Sequence, residues 1–203
     1  NGSGKTTLAR VMAGLQFPDA GRVRIAGVDV AKDRRGALNA VGILFQNPDH
    51  QIIFPTVGEE LAFGLNQMGL GKGEVSERVR RTLERFGKGL WHDAAIHQLS
   101  QGQRQLVCLM AILAMAPKVI ILDEPFAGLD IPTAMHLTRV LERMEATLVH
   151  ITHDPRTITS YGHAVWIEGG AVQQQGSVAQ VSTAFANAMK ALGERDDLTD
   201  LTG

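Results

Sequence analysis

Gly2, Ser3, Gly4, Lys5 and Thr6 stand together at the head of a 203-residue chain. They precede residues 6–15, where Leu8, Val11, Met12 and Leu15 repeat at helical spacing. Glycines let backbone N–H groups approach a polyphosphate, the start of a helix adds partial positive charge, the lysine supplies a point charge, and the threonine hydroxyl suits Mg²⁺. Alone, this is a partial motif: the first glycine of the full pattern would fall two positions before Asn1, and Gly-Lys-Thr also occurs as a simple turn. A second group follows Val119, Ile120, Ile121 and Leu122, an aliphatic strand that ends in Asp123, Glu124 and Pro125. Two adjacent carboxylates then lie at the C-terminal edge of a sheet, where doubly wound folds bind ligands. Asp123 is expected in the Mg²⁺ shell and Glu124 beside an attacking water, because a metal-bound carboxylate is neutralised and its free neighbour is the better base. Third, Leu99, Ser100, Gln101, Gly102 and Gln103 open a helix with a hydroxyl and a glycine backbone, an anion site with no lysine of its own. One phosphate chain does not need two such sites in one subunit. Two copies are therefore expected to meet head to tail, each offering this turn to the γ-phosphate held by the other's Lys5.

The intervening sequence reads as an α/β scaffold. Short β-rich runs at 22–25 and 28–30 flank Ala26-Gly27 as a hairpin, and the apolar run 41–45 is a buried strand that opens into Gln46, Asn47 and Pro48. From 47 to 98 helix formers dominate, with helices expected at 56–68 and 74–86, so this stretch reads as a small helical subdomain inserted into a core made of 1–46 and 99–203. Leu106, Leu109, Met110 and Leu113 mark a helix before the strand at 119–122; Leu137, Val140, Leu141 and Met144 mark another over 135–144. A strand at 147–151 and a hairpin of 163–167 with 171–174 about Gly169-Gly170 complete the pattern. Strands alternating with helices imply a mainly parallel sheet. The tail beyond Val181 reads as amphipathic and then polar, with Glu194, Asp196 and Asp197 at a fraying end.

Composition narrows the function. With 20 basic and 21 acidic side chains the net charge is −1, without the cationic surplus that phosphate contacts to DNA require. The longest apolar run, 107–117, is about half of what a bilayer span needs, and no charged-then-apolar leader opens the chain, so any membrane role is expected through a partner. Cys108 is the only cysteine, fits a reducing compartment, and reads as a small buried hydrophobe. The histidines at 50, 92, 97, 136, 150 and 163 show no i, i+4 pair and no cysteine companions, so they read as structural or surface residues and no zinc site is expected. Arg78, Arg80, Arg81 and Arg85, interspersed with Glu77 and Glu84, read as a solvated helix face.

Taken in order, these groups resemble the nucleotide-binding subunit of ATP-binding cassette (ABC) transporters, along almost the whole chain. Residues 1–7, from Asn1 to Thr7, look like the Walker A loop and Gln46 like the Q-loop glutamine. Residues 99–103 look like the signature, with Gln101 where a first glycine is commoner. Residues 119–124 look like Walker B, 127–130 like the D-loop, and Thr152, His153 and Asp154 like the switch region. The resemblance implies a P-loop NTPase core with the ABC helical subdomain, ATP and Mg²⁺ as ligands, and ATP hydrolysis. It implies that Asn1, Gly2, Ser3, Gly4, Lys5, Thr6 and Thr7 hold phosphates, that Thr6, Asp123 and Gln46 serve Mg²⁺, and that Glu124, His153 and Gln46 form the catalytic set. Ser100, Gln101, Gly102 and Gln103 would meet the opposite subunit's ATP, and Asp130 the opposite subunit itself. Residues ahead of Asn1 are expected to supply a strand and an adenine-stacking aromatic.

Residues 47–64 resemble the energy-coupling-factor branch, whose ATPases drive vitamin and transition-metal uptake through a membrane coupling subunit. Ile52, Ile53 and Phe54 there either anchor that partner or cap the helical subdomain. Residues 124–133 resemble the biotin-uptake ATPase more than the cobalt or nickel ones. The implied assembly holds a second ATPase subunit, an integral coupling subunit and a substrate-binding membrane subunit, with this chain peripheral at the cytoplasmic face of the membrane and no nucleic acid expected. The rivals are a soluble ABC ATPase acting on nucleic acid or ribosomes and a P-loop kinase or switch. The first normally carries long coiled coils or a second cassette, which this chain lacks; the second leaves residues 99–103 and His153 unexplained.

Overall fold

The computed structural model describes residues 3–193, which fall into two compact units: residues 6–151, and residues 3–5 with 152–193. In the larger unit, α1 (Lys5–Met12) leads to a small hairpin of β1 (Arg24–Ile25) and β2 (Val28–Asp29). Next come α2 (Arg34–Ala40) and β3 (Val41–Leu44), which pairs in parallel with β4 (Val119–Asp123), itself parallel to β5 (Thr147–Ile151). β4 is thus the middle strand of order β3-β4-β5. A strand flanked on both sides and covered on both faces reads as a continuous apolar run, which is why 119–122 was legible as one.

Alternation along β4 divides the core. Ile120 and Leu122 pack with Cys108, Leu109 and Ile112 of α5 (Gln101–Met115) and with Leu137 and Leu141 of α6 (Ile131–Glu142), whereas Ile121 faces Ala9, Val30 and Ala37. Burial pushes the Cys108 thiol up to about 12, helped by the charge of Glu60, so it is inert and hydrophobic as expected. A third cluster joins α3 (Val57–Gln67) and α4 (Lys72–Arg85) to α5, through Leu61, Leu65, Val79, Leu83, Val107 and Met110. Gly64 lets α3 approach α5 closely, since a Cβ there would overlap the Met115 sulfur. α4 buries Val75, Val79 and Leu83 at four-residue intervals. Its other face carries Arg78–Glu74, Arg80–Glu77 and Arg80–Glu84 ion pairs, the solvated face expected of these arginines.

Two elements differ from the sequence expectation. α2 is an added helix: Asp33 caps it by accepting from Gly36 N at 2.7 Å, and it buries only Ala37 and Ala40, so no stripe of large apolar residues announced it. α6 starts at Ile131 rather than at 135, because Asp130 caps it and Pro132 suits its first turn. In the smaller unit, β6 (His163–Glu168) and β7 (Ala171–Ser177) form the expected hairpin, and α7 (Val178–Gly193) packs on it with Phe185 edge-on to Trp166 at 5.7 Å. Glu194, Asp196 and Asp197 lie outside the described residues. Among the described residues no helix is long and apolar enough to cross a membrane.

Candidate active site

In the larger unit the sheet brings two expected groups together. Asp123, the last residue of β4, is only 4% exposed, and Thr6 Oγ1 donates to its Oδ2 at 2.9 Å across 117 residues of sequence. A hydroxyl and a carboxylate are hard oxygen donors of the kind Mg²⁺ takes when substrate phosphates complete its shell, so the pair fits that ion. Glu124 then leaves the sheet with φ of 49°, a left-handed backbone that costs a non-glycine residue on the order of 1–3 kcal/mol. The surrounding structure enforces it: Glu124 N donates to Ile151 O at 2.9 Å, and its carbonyl accepts from Ala127 N at 3.1 Å. Glu124 is half-buried, and these two bonds fix its backbone at the end of the strand.

His150, on β5, belongs to this neighbourhood as well, which its isolation in the sequence did not reveal. Its ring meets Phe126 edge-on at 5.6 Å, and burial pushes the imidazole below its ordinary 6.5 while the Glu124 charge opposes that shift. A base whose folded-state affinity for protons is reduced binds more protons when unfolded, so its contribution to stability is lost as pH falls through 6.5 towards the lower folded value. His150→Phe is therefore expected to lose less melting temperature than the wild type between about pH 7.5 and 5.5. Parallel melting curves for the two proteins would remove His150 from the acid limb.

The turn of residues 99–103 enters α5 through a capping box. Ser100 Oγ accepts from Gln103 N at 3.3 Å, and Ser100 N donates to Gln103 Oε1 at 2.8 Å, which leaves the serine O–H proton available to an external acceptor. Gln101 lies against Gly128, and Gly102 faces Thr133 and Leu129, so this turn packs on the residues before and within the first turn of α6. Asp130 caps that helix, accepting from Thr133 N at 2.8 Å, a bond that lowers its pKa. Gln46 is exposed just beyond β3. After it, the buried carboxylate of Glu60 accepts from both Ile53 N and Phe54 N at 2.9 Å. The apolar triplet is thereby split: Ile52 packs into the core, Phe54 rests on Phe63 at 5.2 Å, and Ile53 stays 66% exposed.

In the smaller unit, Ser3, Lys5 and His153 line one cleft of about 600 Å³ whose apolar side includes Trp166, Phe185 and Met189. Lys5 Nζ donates to Ser3 Oγ, and Gly4 takes a φ of 85° that favours glycine. Beside His153, Arg156 holds the Asp154 carboxyl at about 2, and Asp154 caps the turn Pro155–Ile158. Thr7 is exposed on α1; Asn1 and Gly2 lie outside the described residues.

The model of the ABC transporter family matches residues 1–127. The chain belongs to this family. It is 49% identical to the biotin transport ATP-binding protein BioM of Rhodobacter capsulatus over 95% of its own length and 82% of that protein. It is 41% identical to the energy-coupling factor transporter ATP-binding protein EcfA of Methanothermobacter thermautotrophicus, over 82% of this chain and 56% of that one. Among solved structures, CbiO1 of Clostridium perfringens, described as part of the ABC transporter complex CbiONQ, superposes with a TM-score of 0.73 at 31% identity, covering 99% of this chain and 83% of the other. An ATP-binding cassette captured after hydrolysis with ADP and phosphate, 23% identical, gives 0.76 over 87% and 82% and shares the fold. This family member is an ATP-binding, ATP-hydrolysing subunit.

Proposed function

We propose that this ATPase powers uptake of a small solute through an energy-coupling-factor transporter, the solute being a vitamin, with biotin favoured, or a transition-metal ion. The observation that carries the reading is the 49% identity to BioM across 192 residues. Residues 47–98 act as the helical subdomain. The backbone of residues 1–7 and Lys5 hold the ATP phosphates. Thr6 and Asp123, already 2.9 Å apart, would hold Mg²⁺ with Gln46. When bound, that ion supplies charge neutralisation at the phosphates. Glu124 accepts the proton of the attacking water, and the fixed turn of its backbone aims the carboxylate. His153 hydrogen-bonds the γ-phosphate. Ser100 and the Gly102 backbone serve the ATP of a second ATPase subunit, identical or not, while Asp130 meets that subunit. Ile53, whose backbone N–H is held by the Glu60 carboxylate, is an anchor for an integral membrane coupling subunit that works with a substrate-binding membrane subunit, and this ATPase lies peripherally at the cytoplasmic face of the membrane.

The test is to extract the full-length protein from native membranes in mild detergent with ATP and Mg²⁺ and to identify what accompanies it. A coupling membrane protein and a small membrane subunit carrying biotin are expected. Recovery with ribosomes or DNA alone would overturn the transporter reading, and a subunit carrying another solute would overturn biotin.

A further inference from the structure

Two consecutive residues of α5 grip the loop that carries Gln46 from both of its ends. Gln105, 3% exposed, donates Nε2 to the carbonyl of Phe45 at 3.2 Å, and Phe45 N in turn donates to Gln51 Oε1 at 3.1 Å. On the far side of Gln46, Asn47 caps the short turn Pro48–His50 by accepting from Asp49 N at 3.0 Å. Asp49 Oδ1 lies 2.9 Å from Arg104 Nε, an ion pair without the alignment of a hydrogen bond. The same guanidinium uses Nη1 to donate to the carbonyl of Leu99 at 2.6 Å. Leu99 is the residue before Ser100. One planar fork therefore holds both the carbonyl that enters the signature turn and the carboxylate three residues beyond Gln46.

The placement is more than stability requires. The Arg104 and Asp49 side chains are 23% and 60% exposed, and pairs open to water to this degree contribute little to folding. The Gln46 side chain is exposed between its two tethers, so the tethers fix its backbone and leave the amide to move. We propose that Arg104 and Asp49 are a positioning pair that locks the Gln46 loop to the signature turn, so that docking of Ser100 and Gly102 onto ATP also sets Gln46. This rests on the roles proposed above for Gln46 and Ser100. Neither residue touches substrate; both act through the loops they join. The pairing joins residues 49 and 104, whose charges gave no periodic signal in sequence.

The test is steady-state Mg-ATP hydrolysis by the full-length protein carrying Asp49→Asn, Arg104→Gln, both, or Gln46→Ala. Each single change at the pair is expected to lower kcat about five- to tenfold with KM for ATP within about twofold, the signature of lost positioning. The double variant is expected to be no slower than the slower single one, because both changes break one link. Asp49→Glu, which keeps the charge, is expected to recover at least half of the loss. Should Arg104→Gln not fold, the exposed position 49 decides by the Asn and Glu variants alone. Slow Gln46→Ala beside an Asp49→Asn of wild-type kcat, losses that multiply in the double variant, or no recovery with Glu would each overturn the pair while leaving the Gln46 role intact. Wild-type kcat in Gln46→Ala would instead overturn the role of Gln46 on which the pair depends.

Discussion

Glu124→Gln is expected to bind ATP and to form the ATP-dependent dimer as the wild type does, while phosphate release slows by about 10²–10⁴-fold, the usual worth of a positioned general base. Glutamine keeps the size of the side chain and removes its capacity to accept a proton. The turn survives the change, since the 2.9 Å bond from residue 124 N to Ile151 O and the 3.1 Å bond from Ala127 N are made by the backbone. The left-handed φ of 49° is as demanding for glutamine as for glutamate, so no difference in backbone strain separates the two proteins. Any large effect must then come from the carboxylate. Single-turnover phosphate release and sedimentation with ATP and Mg²⁺ measure the two halves of this expectation. Unchanged turnover would dismiss Glu124 as the base, and loss of ATP binding would mean that its charge acts in the ground state.

The parts of this molecule that were readable from sequence are those where one residue type repeats or where chemistry demands a particular set. β4 announced itself by four aliphatic residues before two acids, because burial on both faces leaves a continuous apolar run, and α4 by its helix formers, while its buried stripe of Val75, Val79 and Leu83 is seen in the structure. The link between Thr6 and Asp123 was readable across 117 residues because a hydroxyl and a carboxylate suit the same ion. α2 left no such mark, since alanines alone face its core. Nor did the polar contacts that organise the loops. Gln105 finds its partner in Phe45 O, 60 residues away, and the carboxylate of Glu60 binds two backbone amides, neither of which leaves a periodic trace. Three successive apolar residues, Ile52, Ile53 and Phe54, looked alike in sequence, yet one enters the core, one meets solvent and one packs at a tilt against the Phe63 ring, because the Glu60 clamp fixes the backbone between them. The left-handed φ of Glu124 was equally silent, being imposed by the strand pairing around it.

Asp123→Asn separates a structural acid from a metal-binding one. A carboxylate that is 4% exposed is held against its own desolvation, so the neutral amide of the same shape is expected to leave the melting temperature unchanged or to raise it. Asparagine Oδ1 can still accept the Thr6 hydroxyl in place of the 2.9 Å bond, so the local geometry has no reason to collapse. Hydrolysis, by contrast, is expected to fall by about 10²-fold or more, because the charge that holds Mg²⁺ at the phosphates is gone. The diagnostic readout is binding rather than rate. ATP affinity measured in EDTA should match the wild type, and the gain in affinity on adding Mg²⁺ should disappear. Glu124→Gln is expected to keep that Mg²⁺-dependent gain, so the two neighbouring acids are told apart by one titration. A retained Mg²⁺ response in Asp123→Asn would move the metal site elsewhere, and a collapsed melting temperature would make Asp123 a structural residue first.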